Sequence, residues 1–342
     1  MTRARVARRI ARAAAYGGGG IGVLSAGAFG LVRAQAALAR RTIGEPTGTA
    51  PYADGVYGAH HPGEPLTLAL LGDSSATGLG VSSPHQTPGA MLSSGLAGCA
   101  DRPVRLVCRA TVGARSSDLA GQVAQVDAEV PDVVVIMIGA NDVTHRVKPQ
   151  DAVRHLDDVV RGLVSVGVQV VVGTCPDLGT VEPVAQPLRW IARRASRQLA
   201  AAQTIAVVEA GGRTVSLGDI LGPEFAASPA EMFGPDRFHP SAAGYASAAA
   251  ALLPSVCAAL EAWPAGGTEA TPDLTRGEGV RPIAVAAVEA ADEAGTEVAA
   301  AQVGGRDGGP RGRWALLRHR PGRSSREVQA SAEEEGSPLR ER

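Results

Sequence analysis

The chain is predicted to be an α/β protein, with a parallel sheet of five strands covered by helices on both faces. Three observations lead there. Short apolar runs bounded by Gly, Pro or polar residues recur at 66–71, 104–108, 132–139, 169–173 and 204–209. Segments with small or helically spaced apolar residues separate them. Several of the runs end in turns rich in Gly, Ser or Asn, at the strand ends where open α/β sheets place their chemistry. Apolar runs without alternation suit strands buried on both faces. Strand–helix alternation of this length calls for parallel strands joined by crossovers.

Taken in order, Leu66–Leu71 lies between Pro65 and Gly72 and leads into Gly72-Asp73-Ser74-Ser75. Thr87–Ala100 carries enough small and apolar residues for a helix, with Pro88 near its start. The second strand, Val104–Cys108, runs into a turn containing Gly113, and Ser116 or Ser117 is the expected N-cap of a helix to about Ala128. Asp132–Gly139 contains VVVIMIG, the strongest β signal in the chain, and ends in Gly139-Ala140-Asn141-Asp142. Val153, Leu156, Val159, Val160 and Leu163 mark a helix from about Gln150 to Val166. The fourth strand, Gln169–Gly173, is followed by an amphipathic helix over Pro187–Ala202. Thr204–Glu209 is read as the fifth strand. Residues 210–243 look irregular, and an Ala/Leu-rich helix runs on to about Trp263.

Composition bounds the function. The 342 residues carry a net charge of −1, which implies no nucleic-acid partner. Cys99, Cys108, Cys175 and Cys257 have no metal-ligand spacing. They read either as buried free thiols or, in an exported domain, as including a disulfide, with Cys99 and Cys108 nearest in sequence. Arg3, Arg5, Arg8, Arg9 and Arg12 precede the charge-free segment 13–32, which is long enough to span a bilayer at roughly 1.5 Å per residue. Residues 1–36 therefore read as a signal peptide or an N-terminal membrane anchor, with a Gly-rich soluble helix as the third option. The arginines favour an inside N-terminus and a domain outside, anchored or secreted. Residues 37–65 read as a linker, 66–263 as the catalytic domain, and 264–342, poor in large apolar residues, as a disordered tail.

A serine hydroxyl needs a base within hydrogen-bond reach to act as a nucleophile. His239 has the right context, because Asp236 lies three positions earlier and reaches the far imidazole nitrogen within one turn. His145, near the Asn141 turn, is the runner-up but has no orienting carboxylate. The backbone N–H groups of Ser74 and Gly113, with the Asn141 amide, supply three donors for an oxyanion. Asp73 and Asp142 are assigned to loop hydrogen bonding. The phosphate-cradling loop of a nucleotide binder is missing from residues 72–80, and so is the GxSxG elbow around Ser74.

With these residues together, the sequence resembles the SGNH (GDSL-type) hydrolase family from Leu66 to about Trp263. Gly72-Asp73-Ser74 with Gly78, then Gly113, Gly139-Ala140-Asn141-Asp142 and Asp236-Arg237-Phe238-His239 match its four blocks in order. Ser75 stands where the nominal motif has leucine, and no asparagine precedes Gly113 in the second block. The resemblance implies a flavodoxin-like three-layer α/β/α sandwich, no metal or cofactor, and a serine esterase with an acyl-enzyme on Ser74. Within the family's range the substrate is a small-molecule or lipid ester. An export or anchor segment favours lipid or cell-wall-derived esters over cytosolic thioesters, which points to a lipase or short-chain acylesterase, with membrane association through residues 13–32. Carbohydrate O-deacetylation on the same site is the alternative, and a catalytically silent binding protein is the reading from another class.

Overall fold

The computed structural model describes residues 27–43, 48–126 and 130–262, and the backbone of 297–299. The strands are β1 (Gly55–Tyr57), β2 (Leu66–Gly72), β3 (Val104–Cys108), β4 (Val133–Met137), β5 (Gln169–Gly173), β6 (Arg213–Val215) and β7 (Glu297–Ala299). They form one sheet in the order β1-β3-β2-β4-β5-β6-β7. The five central strands are parallel, in the doubly wound flavodoxin-like order. β1 and β7 add antiparallel edges, so the sheet has seven strands where five were expected. β1 lies within the stretch read as linker. β7 lies in the C-terminal region, the rest of which falls outside the described residues, as do residues 13–26 of the charge-free N-terminal segment.

The helices are α1 (residues 27–43), α2 (Ser74–Thr77), α3 (Pro88–Ala100), α4 (Leu119–Val123), α5 (Ala140–Thr144), α6 (Pro149–Ser165), α7 (Leu188–Glu209), α8 (Leu217–Ala227), α9 (Pro229–Met232) and α10 (Ala242–Ala259). Alternate strand residues serve opposite layers, as the two-residue period demands. Leu68, Leu70, Val133, Val135 and Val171 pack with Leu92 and Leu96 of α3 and Leu252 and Val256 of α10. Ala69, Leu71, Val134, Ile136 and Val172 pack with Leu119 of α4, Leu156 and Val160 of α6, and Val207 of α7. Among the described residues α10 alone is long and apolar enough to cross a membrane. Its Tyr245, Leu252 and Val256 are fully buried, so that apolarity serves the core.

Two elements differ from expectation. Residues 204–209 are not a strand but the last turns of α7, and the fifth parallel strand is Arg213–Val215. The run Thr204–Val208, β-branched except at Ala206, is buried throughout, and a run of that kind fits a buried helix end as well as a strand. Gly211, with φ of +92°, ends the helix and turns the chain into β6. The region read as irregular contains β6, α8 and α9. The four cysteines are free thiols. Cys99 lies near Cys257 of α10, and burial, with Cys99 beside it, pushes the Cys257 thiol upward.

Candidate active site

Ser74 opens α2 directly after β2. The turn is tight: a Cβ on Gly72, whose φ is +136°, would lie 1.9 Å from the Met137 carbonyl oxygen. Asp73 caps α2, its carboxylate accepting from the Ser75 N–H at 2.9 Å and the Ser75 hydroxyl at 2.6 Å. Burial pushes the Asp73 carboxyl upward, against these bonds. With Asp73 holding the turn, the Ser74 hydroxyl is left to interact elsewhere.

Its partner arrives from 165 residues away. His239 Nε2 lies 3.0 Å from Ser74 Oγ, and His239 Nδ1 lies 2.6 Å from Asp236 Oδ2. Asp236 Oδ1 also accepts from the Phe238 and His239 N–H groups, at 2.9 and 3.0 Å. Burial pushes the Asp236 carboxyl up, but the bonds from the imidazole and the two amides outweigh it and hold the group below its ordinary range. An ionised Asp236 in that position fixes the imidazole tautomer with Nδ1 protonated and Nε2 open to the serine. His145, the alternative base, is exposed, and its Nδ1 lies 2.9 Å from the Asn141 carbonyl oxygen.

The strand order decides where Gly113 and Asn141 lie. β3 and β4 flank β2, so the loops carrying Gly113 and Asn141 sit on either side of the Ser74 turn. Gly113 has φ of +82° and open space where a side chain would stand. Asn141 occupies the first turn of α5. Asp142 ties the two loops together, accepting from the Ser116 hydroxyl at 2.8 Å and from its N–H at 3.1 Å. Ser116, expected to cap a helix, is used for this bond instead. Both Asp73 and Asp142 thus make the loop hydrogen bonds foreseen for them.

The GDSL-like lipase/acylhydrolase family matches residues 70–247. The GDSL-like esterase Rv1075c of Mycobacterium tuberculosis (strain ATCC 25618 / H37Rv) is 43% identical over 240 residues, 66% of this chain and 76% of that protein. The chain belongs to the GDSL-like lipase/acylhydrolase family. It is therefore a hydrolase that acts on esters. Similar solved structures include LAE5, an alpha/beta hydrolase enzyme from the metagenome of Lake Arreo, Spain, at 21% identity and a TM-score of 0.44, covering 58% of this chain and 95% of that one. TesA matches at 25% identity and a TM-score of 0.43, covering 57% and 98%.

Two side chains that hold the Ser74 turn and the neighbouring strand ends were not foreseen. Gln122 of α4 is buried and clamps the end of β2: its Nε2 donates to the Gly72 carbonyl and its Oε1 accepts from the Gly72 N–H, both at 2.8 Å. Gln203 of α7 does the same for the next strands, accepting from the Cys175 N–H at 2.8 Å and donating to the Ile138 carbonyl at 3.1 Å. Strand ends beside a site leave backbone groups with no ladder partner, and a buried amide offers both a donor and an acceptor. The only sequence signal was a lone Gln on an otherwise apolar helix face. Beyond Ser74 the hydrolase has an apolar pocket, with Met137, Leu217, Leu221, Phe225, Phe233 and Phe238 among its walls. Tyr245, also among its lining residues, is fully buried and donates to the Leu79 carbonyl at 2.7 Å.

Proposed function

We propose that the protein is a carboxylic ester hydrolase of the lipase or short-chain acylesterase kind, working through an acyl-enzyme on Ser74. The observation that carries this is the continuous chain from Ser74 Oγ through His239 to Asp236, with links of 3.0 and 2.6 Å. In the first half-reaction Ser74 Oγ attacks the ester carbonyl carbon and its proton passes to His239 Nε2. The negative charge that develops on the carbonyl oxygen is met by the Ser74 and Gly113 N–H groups and the Asn141 amide. As the C–O bond breaks, His239 returns the proton to the departing alkoxide, and the acyl group remains on Ser74. Water then repeats the sequence, giving the acid and free enzyme. Asp236 stays ionised throughout and stabilises the imidazolium.

The aliphatic and aromatic walls beyond Ser74 favour an acyl chain longer than acetyl, because each buried methylene contributes about 0.8 kcal/mol, roughly fourfold in kcat/KM. The arginine-rich N-terminus and the charge-free segment after it support a domain held outside the membrane or secreted. The test is a p-nitrophenyl ester series from acetate to palmitate, run with the wild-type chain and Ser74→Ala. Turnover should rise with chain length until the pocket fills and fall about a million-fold in the variant. A fluorophosphonate should label one serine per chain, Ser74. Activity that peaks at acetate and is carried by acetylated sugars would favour the deacetylase instead. Wild-type turnover matched by Ser74→Ala would refute the mechanism.

A further inference from the structure

We propose that the exposed face formed by α1 and the first turns of α7 docks on an anionic phospholipid bilayer, beside the wall of the acyl pocket. Five of the ten large apolar side chains exposed among the described residues lie on these two helices: Phe29, Leu31, Leu38, Trp190 and Ile191. Phe29, Leu38 and Trp190 are 56%, 60% and 58% exposed. Positive charge dominates there. Residues 27–43 carry three arginines and residues 188–197, the first turns of α7, carry four, with no Asp or Glu in either stretch and Glu182 the one exposed acid just before α7, although acids and bases nearly balance over the chain. Arg193 and Arg197 are paired with the buried Asp177, at 3.1 and 3.7 Å, and Arg33, Arg40, Arg41 and Arg194 are exposed. The Arg33 guanidinium lies 5.6 Å from the Phe29 ring and that of Arg194 5.8 Å from the Trp190 ring. Aromatic rings paired with arginines suit the headgroup zone, where the ring meets acyl chains and the cation meets phosphate.

The two helices are joined. The Gln35 side chain donates to the Gln186 carbonyl and accepts from the Leu188 N–H. Behind the junction Ile43 packs on the cluster of Val181, Phe225 and Phe233, and all three of these line the pocket. A second copy of the chain is a poor occupant, because self-association would set like charges against one another. An anionic bilayer complements both the charge and the exposed rings. Upstream, residues 3–12 add five arginines of the same sign. That docked lipids supply the substrate rests on the acylesterase reading; the docking itself does not.

The experiment uses the full chain with Trp263→Phe and Trp314→Phe, which leaves Trp190 as the only tryptophan. It is mixed with phosphatidylcholine vesicles containing about a third phosphatidylglycerol, and with phosphatidylcholine alone. On the anionic vesicles Trp190 emission should move to the blue and be quenched by brominated acyl chains. Arg40→Gln and Arg194→Gln should each weaken that association about fivefold. If Trp190 stays unquenched, the docking is overturned, whether or not the protein floats with the vesicles. Turnover of soluble p-nitrophenyl butyrate in the same samples separates the two readings. Turnover with Trp190 unquenched sinks the docking alone; quenching without turnover sinks the esterase reading alone.

Discussion

Replacing Gln122 by Met removes the amide clamp while nearly keeping side-chain volume and helix propensity. Two bonds of 2.8 Å to Gly72 are lost, but they are not equivalent. The Gly72 carbonyl keeps a second donor, the Thr111 N–H at 3.0 Å, so losing Gln122 costs about 1 kcal/mol there. The Gly72 N–H has no such substitute and becomes a buried unsatisfied donor, at about 1–3 kcal/mol. The sum, about 2–4 kcal/mol, is a large share of a domain's stability and lowers Tm by about 4–16 °C. Gly72 is two residues from Ser74, the proposed nucleophile, so kcat should fall as well, by up to about a hundredfold for a displacement near 1 Å. KM should hold, because the pocket walls are untouched. The assays are thermal unfolding by circular dichroism and p-nitrophenyl butyrate kinetics with active-site titration. A Tm within about 2 °C of wild type together with unchanged kcat would refute the reasoning.

Other substitutions read other parts of the site. Gly72→Ala brings a Cβ to 1.9 Å from the Met137 carbonyl oxygen at a φ of +136°. Clash and backbone strain together should cost about 2–6 kcal/mol, read as a Tm loss or a failure to accumulate folded protein. Asp236→Asn should lower kcat about ten-thousand-fold by releasing the imidazole tautomer. It should also change acid stability. The folded-state pKa of Asp236 lies below the ordinary carboxylate value, so its contribution is present above the unfolded pKa and is lost as pH falls through the folded one. The Tm difference between wild type and Asp236→Asn should therefore shrink as pH drops through the carboxylate range. A gap that widens toward acid would contradict the sign. Leu221→Ala opens the pocket wall and should move the p-nitrophenyl ester optimum to longer chains; an unchanged profile would place the acyl group elsewhere.

Much of the site was legible because its pieces are local in sequence. Gly72-Asp73-Ser74 is a strand end, a turn and a cap within three residues, and Asp236 reaches His239 within one turn. Neither the Gln122 and Gln203 clamps nor the link from Asp142 to Ser116 was legible in this way. Each joins backbone or side chains 26 to 65 residues apart, and no periodicity marks a single amide on a buried helix face. The last turns of α7 misled for a related reason. Thr204–Val208 has strand-like composition, and only burial on all sides, from residues far along the chain, makes it helical.

What the sequence by itself determined is most of the local elements: apolar runs for four of the five parallel strands, helical spacing between them, and a serine, an Asp–His pair and two Gly- or Asn-bearing turns at strand ends. Backbone sterics and burial periodicity act over a few residues, so a sequence records them directly. What the tertiary structure alone decided is adjacency. The order β3-β2-β4 sets the Gly113 and Asn141 loops on either side of Ser74, α10 folds back to bring His239 within 3.0 Å of it, and α1 settles beside the pocket wall. Strand order and helix docking follow from summed burial across the whole domain, a non-directional force that no short stretch of residues encodes.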